Sequence, residues 1–307
     1  MKSIVIAIAI LCSLPNQLLA STCPPPPTPL RQLVNHSETI VIGQVRSVQE
    51  FTEEFYNGMK VTLDVEQVIQ GKLKTETIDV YMDIWSTSYK EQDGLDGSRL
   101  MAFINPSEEF QSVYFPTSYQ NGYKFLNDSA MKTYQRRIKE LQAINALNNE
   151  KRREELTVDW LIRCAENPDT RWEGSSELAP FSNYMNVFDE EKNEFIKKIQ
   201  LSDSQKLRIE NIILNSSDLS YIEMELIDAI SGWNNTKIYQ WIKQNLKTVA
   251  PQLLYQKQFL MHRLAIETQR DELIEIISKF AEISFENDEE KWQKEMNEMA
   301  YKFVEVL

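Results

Sequence analysis

Histidine is almost missing from this sequence: His36 and His262 are the only two. Neither has a second histidine nearby, and there is no H-E-x-x-H or paired-cysteine spacing, so no metal centre and no cofactor are expected. Glycine is scarce too, with eight residues in 307, and no P-loop, G-x-G-x-x-G or G-x-S-x-G motif occurs. Phosphate-cradling loops and nucleophile elbows are therefore excluded, and no residue is assigned a catalytic role. Positive charge is also short: 33 Lys and Arg face 46 Asp and Glu, a net charge of −13. Nucleic acid and anionic lipid both require a basic surface, so neither is an expected partner. Beyond the N-terminus no segment stays uncharged for the roughly 18 residues that a membrane span needs.

The N-terminus supplies an address. Met1 and Lys2 give a short positive end, Ser3 to Leu14 are almost wholly apolar, and Pro15 breaks the run before Leu18-Leu19-Ala20. That is the order of a secretory signal peptide, residues 1–20, which predicts a secreted or periplasmic protein. Cys12 leaves with it. Cys23 and Cys164 remain, two thiols in an oxidising compartment, and either a disulfide between them or two unpaired thiols fits the count.

The mature chain changes period once. Between Ile40 and Phe125 the runs TIVIGQVRSV, MKVTLDVEQVI, ETIDVYM, RLMAFIN and SVYF are short and rich in β-branched or aromatic residues, which predicts five strands. No helix-length run separates them, so the sheet is expected to be antiparallel, and five short strands favour a small closed or partly open barrel. The alternation in VTLDVEQVI slips at Gln67, where a β-bulge is expected, and Asn57-Gly58, Gly71, Gly94 and Gly97 mark turns. From about Ser129 the apolar positions recur at helical spacing, predicting an array of short helices stacked pairwise, HEAT-like stacking being one form. Ser202 to Gln205 and Thr170 to Glu173 have the spacing of capping boxes. The acidic runs DEEKNE and ENDEEK read as solvated helix starts. The expected class is α+β multidomain: a barrel over 21–125, a connecting helix over 126–155 and an α-helical domain over 156–307.

Cys23 with its prolines, the segment Leu30 to Val34, and the phrases TIVIGQVRSV, VTLDVEQVIQGKL and GLDGSRLMAFIN together resemble the netrin-like, tissue-inhibitor-of-metalloproteinases-like domain. The resemblance covers residues 21–125 and implies a five-stranded OB barrel. It also implies a mode of action, in which the amine and carbonyl of an N-terminal cysteine bind the open position of a protease's catalytic zinc. Carried over, Cys23 would chelate, with Pro24 and Pro25 in the stiff ridge beside it and a metalloprotease as partner. Cleavage after Ala20, however, leaves Ser21-Thr22 ahead of Cys23, and the prolines equally suit a polyproline strap across the barrel.

In the helical region Arg171, Trp172 and Glu173 are residue types enriched in binding hot spots, and they also suit the packed first turn of a helix. The leading expectation is an exported, non-catalytic protein that binds a protein partner. The competing class is an enzyme with a carboxylate-based site at the seam between the domains.

Overall fold

The computed structural model describes residues 27–53, 56–83, 95, 97–118, 122–180, 182, 184–216, 220–231, 236–248, 254–282 and 289–306. Backbone contacts divide the chain into two compact units, Met1–Met131 and Lys132–Leu307. The class is α+β, with a six-stranded sheet in the first unit and helices dominating the second.

The first unit opens with α1 (Leu30–His36), which follows Pro29 and buries Leu30, Leu33 and Val34 at i, i+3 and i+4. It ends where Ser37 Oγ donates to the Leu33 carbonyl at 2.5 Å. Six strands follow: β1 (Thr39–Glu53), β2 (Tyr56–Gln70), β3 (Thr77–Asp83), β4 (Arg99–Pro106), β5 (Val113–Pro116) and β6 (Tyr123–Phe125). Their pairings run β1-β2-β3-β5-β4-β6, and β1 also pairs with β4. Five strands thus form a closed circuit, while β6 adds three residues beside β4.

The sequence pattern predicts five antiparallel strands, but the sheet has six and one of its pairings, β3 with β5, is parallel. The parallel pair has a simple cause. Strand direction must alternate around an antiparallel circuit, and an odd number of strands cannot alternate all the way round.

Alternate residues of the circuit form one aliphatic cluster that includes Val41, Val61, Leu63, Val80, Leu100 and Ile104. On β1 and β4 the opposite face is buried as well, through Ile40, Ile42, Met101 and Phe103. Burial on both faces explains why IVI and LMAFI are continuous apolar runs instead of alternating ones.

Two local expectations change. The register slips on either side of Gln67, which itself pairs with Ile42: Glu66 and Ile69 are the extra residues on β2, and Arg46 is a third on β1. Asn57-Gly58 is not a turn, because both residues lie inside β2, paired with Thr52 and Phe51. Gly71 does sit in a turn, at φ +81°, and a β-carbon there would approach the Glu38 carbonyl to 2.5 Å. Gly94 lies outside the described residues.

The stretch 126–155, expected as one connecting helix, holds all of α2 (Asp128–Asn145) and the first turns of α3 (Glu150–Glu166). Asn149 caps α3 by accepting from the Arg152 amide. Pro168–Thr170 form a 3₁₀ turn into α4 (Arg171–Leu178). A hairpin of β7 (Asn186–Asp189) and β8 (Glu194–Lys197) follows. Then come α5 (Asp203–Leu214), α6 (Tyr221–Ala229), α7 (Thr236–Thr248), α8 (Leu254–Thr268), α9 (Asp271–Glu282) and α10 (Glu289–Val306).

The hairpin replaces the helix start expected at DEEKNE. Asp189 Oδ1 accepts from the Glu191 and Lys192 amides, and Asn193 takes φ 52°, so these polar residues close a turn. The capping box forms at Ser202 and Gln205, and a second one joins Ser220 and Glu223. None forms at Thr170, whose hydroxyl donates instead to the Cys164 carbonyl at 3.0 Å.

Candidate functional site

Residues opposite one another in an antiparallel ladder share a face, as do residues two apart in one strand. In the first unit the register therefore aligns Phe51 and Glu53 of β1 with Tyr56, Gly58 and Lys60 of β2 and with Tyr81 of β3. Val80 and Met82 point into the aliphatic cluster, so this face is the outward one. Phe115 joins it from β5, because its neighbour Tyr114 packs against the cluster.

Five rings meet there. Tyr81 stacks on Phe115 with centroids 4.9 Å apart and ring planes 20° apart, and Phe110 stacks on Phe115 at 5.9 Å. Phe51 and Tyr56 meet these rings edge-on at 5.0 to 5.7 Å. Such geometries suit the ring quadrupole and add about 0.5–1.5 kcal/mol per pair beyond area burial. Tyr81 is fully buried beneath the others, whereas Phe51, Tyr56, Phe110 and Phe115 are each only half-buried. The unit thus has a rigid aromatic face with one ring as its floor and four partly open to solvent.

The local sequence explains the placement. Gly58 leaves room for the Tyr81 ring, since a β-carbon there would lie 2.4 Å from the Met82 carbonyl oxygen and 2.9 Å from Tyr81 Cε2. Tyr81 Oη donates to the Asn57 carbonyl at 3.2 Å. The Tyr81 carbonyl in turn accepts from Tyr123 Oη, whose burial pushes its pKa up and keeps it a neutral donor. Phe110 is aimed from outside the strands, by a turn in which Ser107 Oγ accepts from the Glu109 and Phe110 amides. Lys60 and Thr62 flank the rings, both directed at Asp79 at 3.7 and 2.7 Å.

None of the five aromatic residues was a sequence candidate. The available signal was phase, and only in VYM, where Tyr81 alternates with the core residues Val80 and Met82. That the strands put their rings side by side is a matter of pairing order.

Of the residues singled out from sequence, Cys23, Pro24 and Pro25 lie outside the described residues. Arg171, Trp172 and Glu173 open α4. Arg171 Nε donates to the Ala165 carbonyl at 3.2 Å, with its guanidinium 3.8 Å from Glu223, and Trp172 is half-buried. Glu173 is 1 % exposed and accepts from Tyr134 Oη at 2.7 Å. Burial and this carboxylate push the Tyr134 phenol up, holding it as a donor. Cys164, the other half of the possible disulfide, has no disulfide partner among the described residues; it has no exposure on α3, and burial pushes its pKa up.

Other buried acids of the helical unit also have internal partners. Glu223 accepts from Ser216 and Ser220, Glu210 faces Lys237 at 3.6 Å, and Glu225 is hydrogen-bonded by Ser175. Between α6, α7 and α8 a cleft of about 20 Å³ is walled by Ile227, Ile230, Ile238 and Ile242. Arg263 on its edge is held by Asp228 at 3.5 Å and Glu267 at 2.9 Å. That volume suits a water molecule, against roughly 300 Å³ or more for a typical ligand site. Among the described residues no group of His, Cys, Asp and Glu could hold a metal ion, and no helix is long and apolar enough to cross a membrane.

No protein-family model matches the chain, and no curated protein sequence matches it.

Proposed function

We propose that this is an exported, non-catalytic binding protein whose N-terminal unit is an OB-like barrel, and that the barrel's aromatic face engages a protein partner in the envelope or medium. The circuit β1-β2-β3-β5-β4-β1 supports the barrel assignment, being five strands closed through one parallel pair. The apolar segment after Lys2 supports export. The observation that carries the reading is the cluster of Phe51, Tyr56, Phe110 and Phe115, half-buried on a rigid outward face. Aromatic rings fixed in this way offer a large contact area at little entropic cost, which is why such residues are enriched at protein interfaces.

The test is site-specific photo-crosslinking in cells that export the protein, from a benzophenone side chain at position 110, with position 207 on the exposed side of α5 as reference. A discrete adduct from position 110 that is lost on Tyr56→Ser is expected. Equal adducts from both positions, or none from position 110, would overturn the reading.

A further inference from the structure

The charges around the aromatic face indicate what it takes. Glu53 lies directly opposite Tyr56 and two residues beyond Phe51, on the side of the sheet that bears the rings. Glu108 and Glu109 immediately precede Phe110 in its turn, and both are exposed, as is Glu53. Lys60 shares the face, but its ammonium is drawn towards Asp79. Open rings are thus bordered by exposed carboxylates, on a chain whose net charge is −13.

We infer that the occupant of this face is a protein segment carrying arginine or lysine side chains, an inference that rests on the binding role proposed above. An arginine can lay its guanidinium plane on a phenyl or tyrosyl face while its donors reach a carboxylate at the edge. Phe110 and Phe115 are both partly open to solvent, and Glu109 adjoins Phe110 in sequence. Aromatic platforms also serve single-stranded nucleic acids, but those sites combine rings with a basic groove, and the charge here has the opposite sign. A neutral glycan could stack on the same rings without using the carboxylates. Encounter with a basic segment would gain from electrostatic steering, so its affinity falls as salt rises.

The test pans random peptides displayed on phage against the full chain. The best binder's affinity is then measured by fluorescence anisotropy at low and high salt, with chitohexaose as the neutral-glycan probe. Peptides with arginine or lysine interleaved with apolar residues are expected. Their affinity should drop about tenfold with Phe110→Ser, a substitution outside the strands, and by a similar factor with Glu53→Gln/Glu108→Gln/Glu109→Gln, all exposed sites. Melting curves of both variants control for folding. If binding needs Phe110 but the selected peptides are uncharged or acidic, or the triple substitution changes nothing, the basic partner is overturned and the aromatic face stands. If neither variant matters, both fall. Binding of chitohexaose with no selected peptide, or no binder of either kind, also overturns the inference.

Discussion

The two units place their aromatic and charged side chains on opposite sides of their cores. In the β-unit the barrel's central cluster is aliphatic, and four half-buried rings gather with carboxylates on an outward face. In the helical unit Trp160 is fully buried and donates to the Arg137 carbonyl at 2.9 Å, and Glu173, Glu210 and Glu223 are each no more than 3 % exposed. A strand offers its second face to solvent at no cost to the first, so surplus rings can sit outside the core. A short helix in a multi-helix array packs on several sides, so its polar groups must be satisfied internally. The first arrangement leaves rings open at the surface, and the second encloses its large ring and its acids.

The strongest way to break this comparison is Trp160→Ala. Removing a fully buried indole should cost about 3–5 kcal/mol. Urea unfolding should show the helical unit's transition moving to lower denaturant, while the near-ultraviolet signal of the β-unit's rings holds its midpoint. Coincident movement of both would mean that the units do not unfold separately.

Gly58→Ala probes the other side. Its methyl group must displace Tyr81 or the β3 backbone, at about 1–3 kcal/mol. The expected sign is a weakened tyrosine circular dichroism signal with the helical transition unchanged.

Tyr134→Phe removes the donor to buried Glu173 and should destabilise the helical unit by about 1–2 kcal/mol. Calorimetry checks it, and a negligible shift would mean that Glu173 is satisfied by its other contacts.

The smallest effect concerns Glu225, where burial raises the carboxyl's pKa and Oε2 has no hydrogen-bond partner. A raised folded-state value means that the protonated acid favours folding. That contribution is complete below the ordinary carboxyl pKa and lost as pH rises through the raised one. Glutamine mimics the protonated acid, so Glu225→Gln should raise the melting temperature by a degree or so at about pH 7, with the gain vanishing near about pH 4. A gain independent of pH would reject the ionisation argument.

Much of the strand content was legible because each strand carries a local signature, β-branched runs bounded by glycine or polar turns. Ser202 with Gln205 was legible for the same reason, since a capping box is complete within four residues. Thr170 with Glu173 has the same spacing and failed, because the nearby Cys164 carbonyl and Tyr134 hydroxyl gave those two side chains other partners. DEEKNE misled because charge suits a turn as well as a helix start, and only the pairing of Val187 with Ile196 and Phe188 with Phe195 selects the hairpin. The aromatic face was illegible for a comparable reason: Phe51 and Phe115 are 64 positions apart, and no local window holds both.

The sequence by itself determined the shortage of metal- and phosphate-binding residues, the acidic balance, and the change from strand to helix period, since composition and periodicity are local quantities. Tertiary structure alone decided that β5 runs beside β3, that Gly58 is a space for Tyr81 and that Arg171 and Glu173 have the partners they do. It also brought five rings from four strands and a loop onto one face. Those outcomes depend on strand register and on competition among distant partners, and neither exists until the chain has folded.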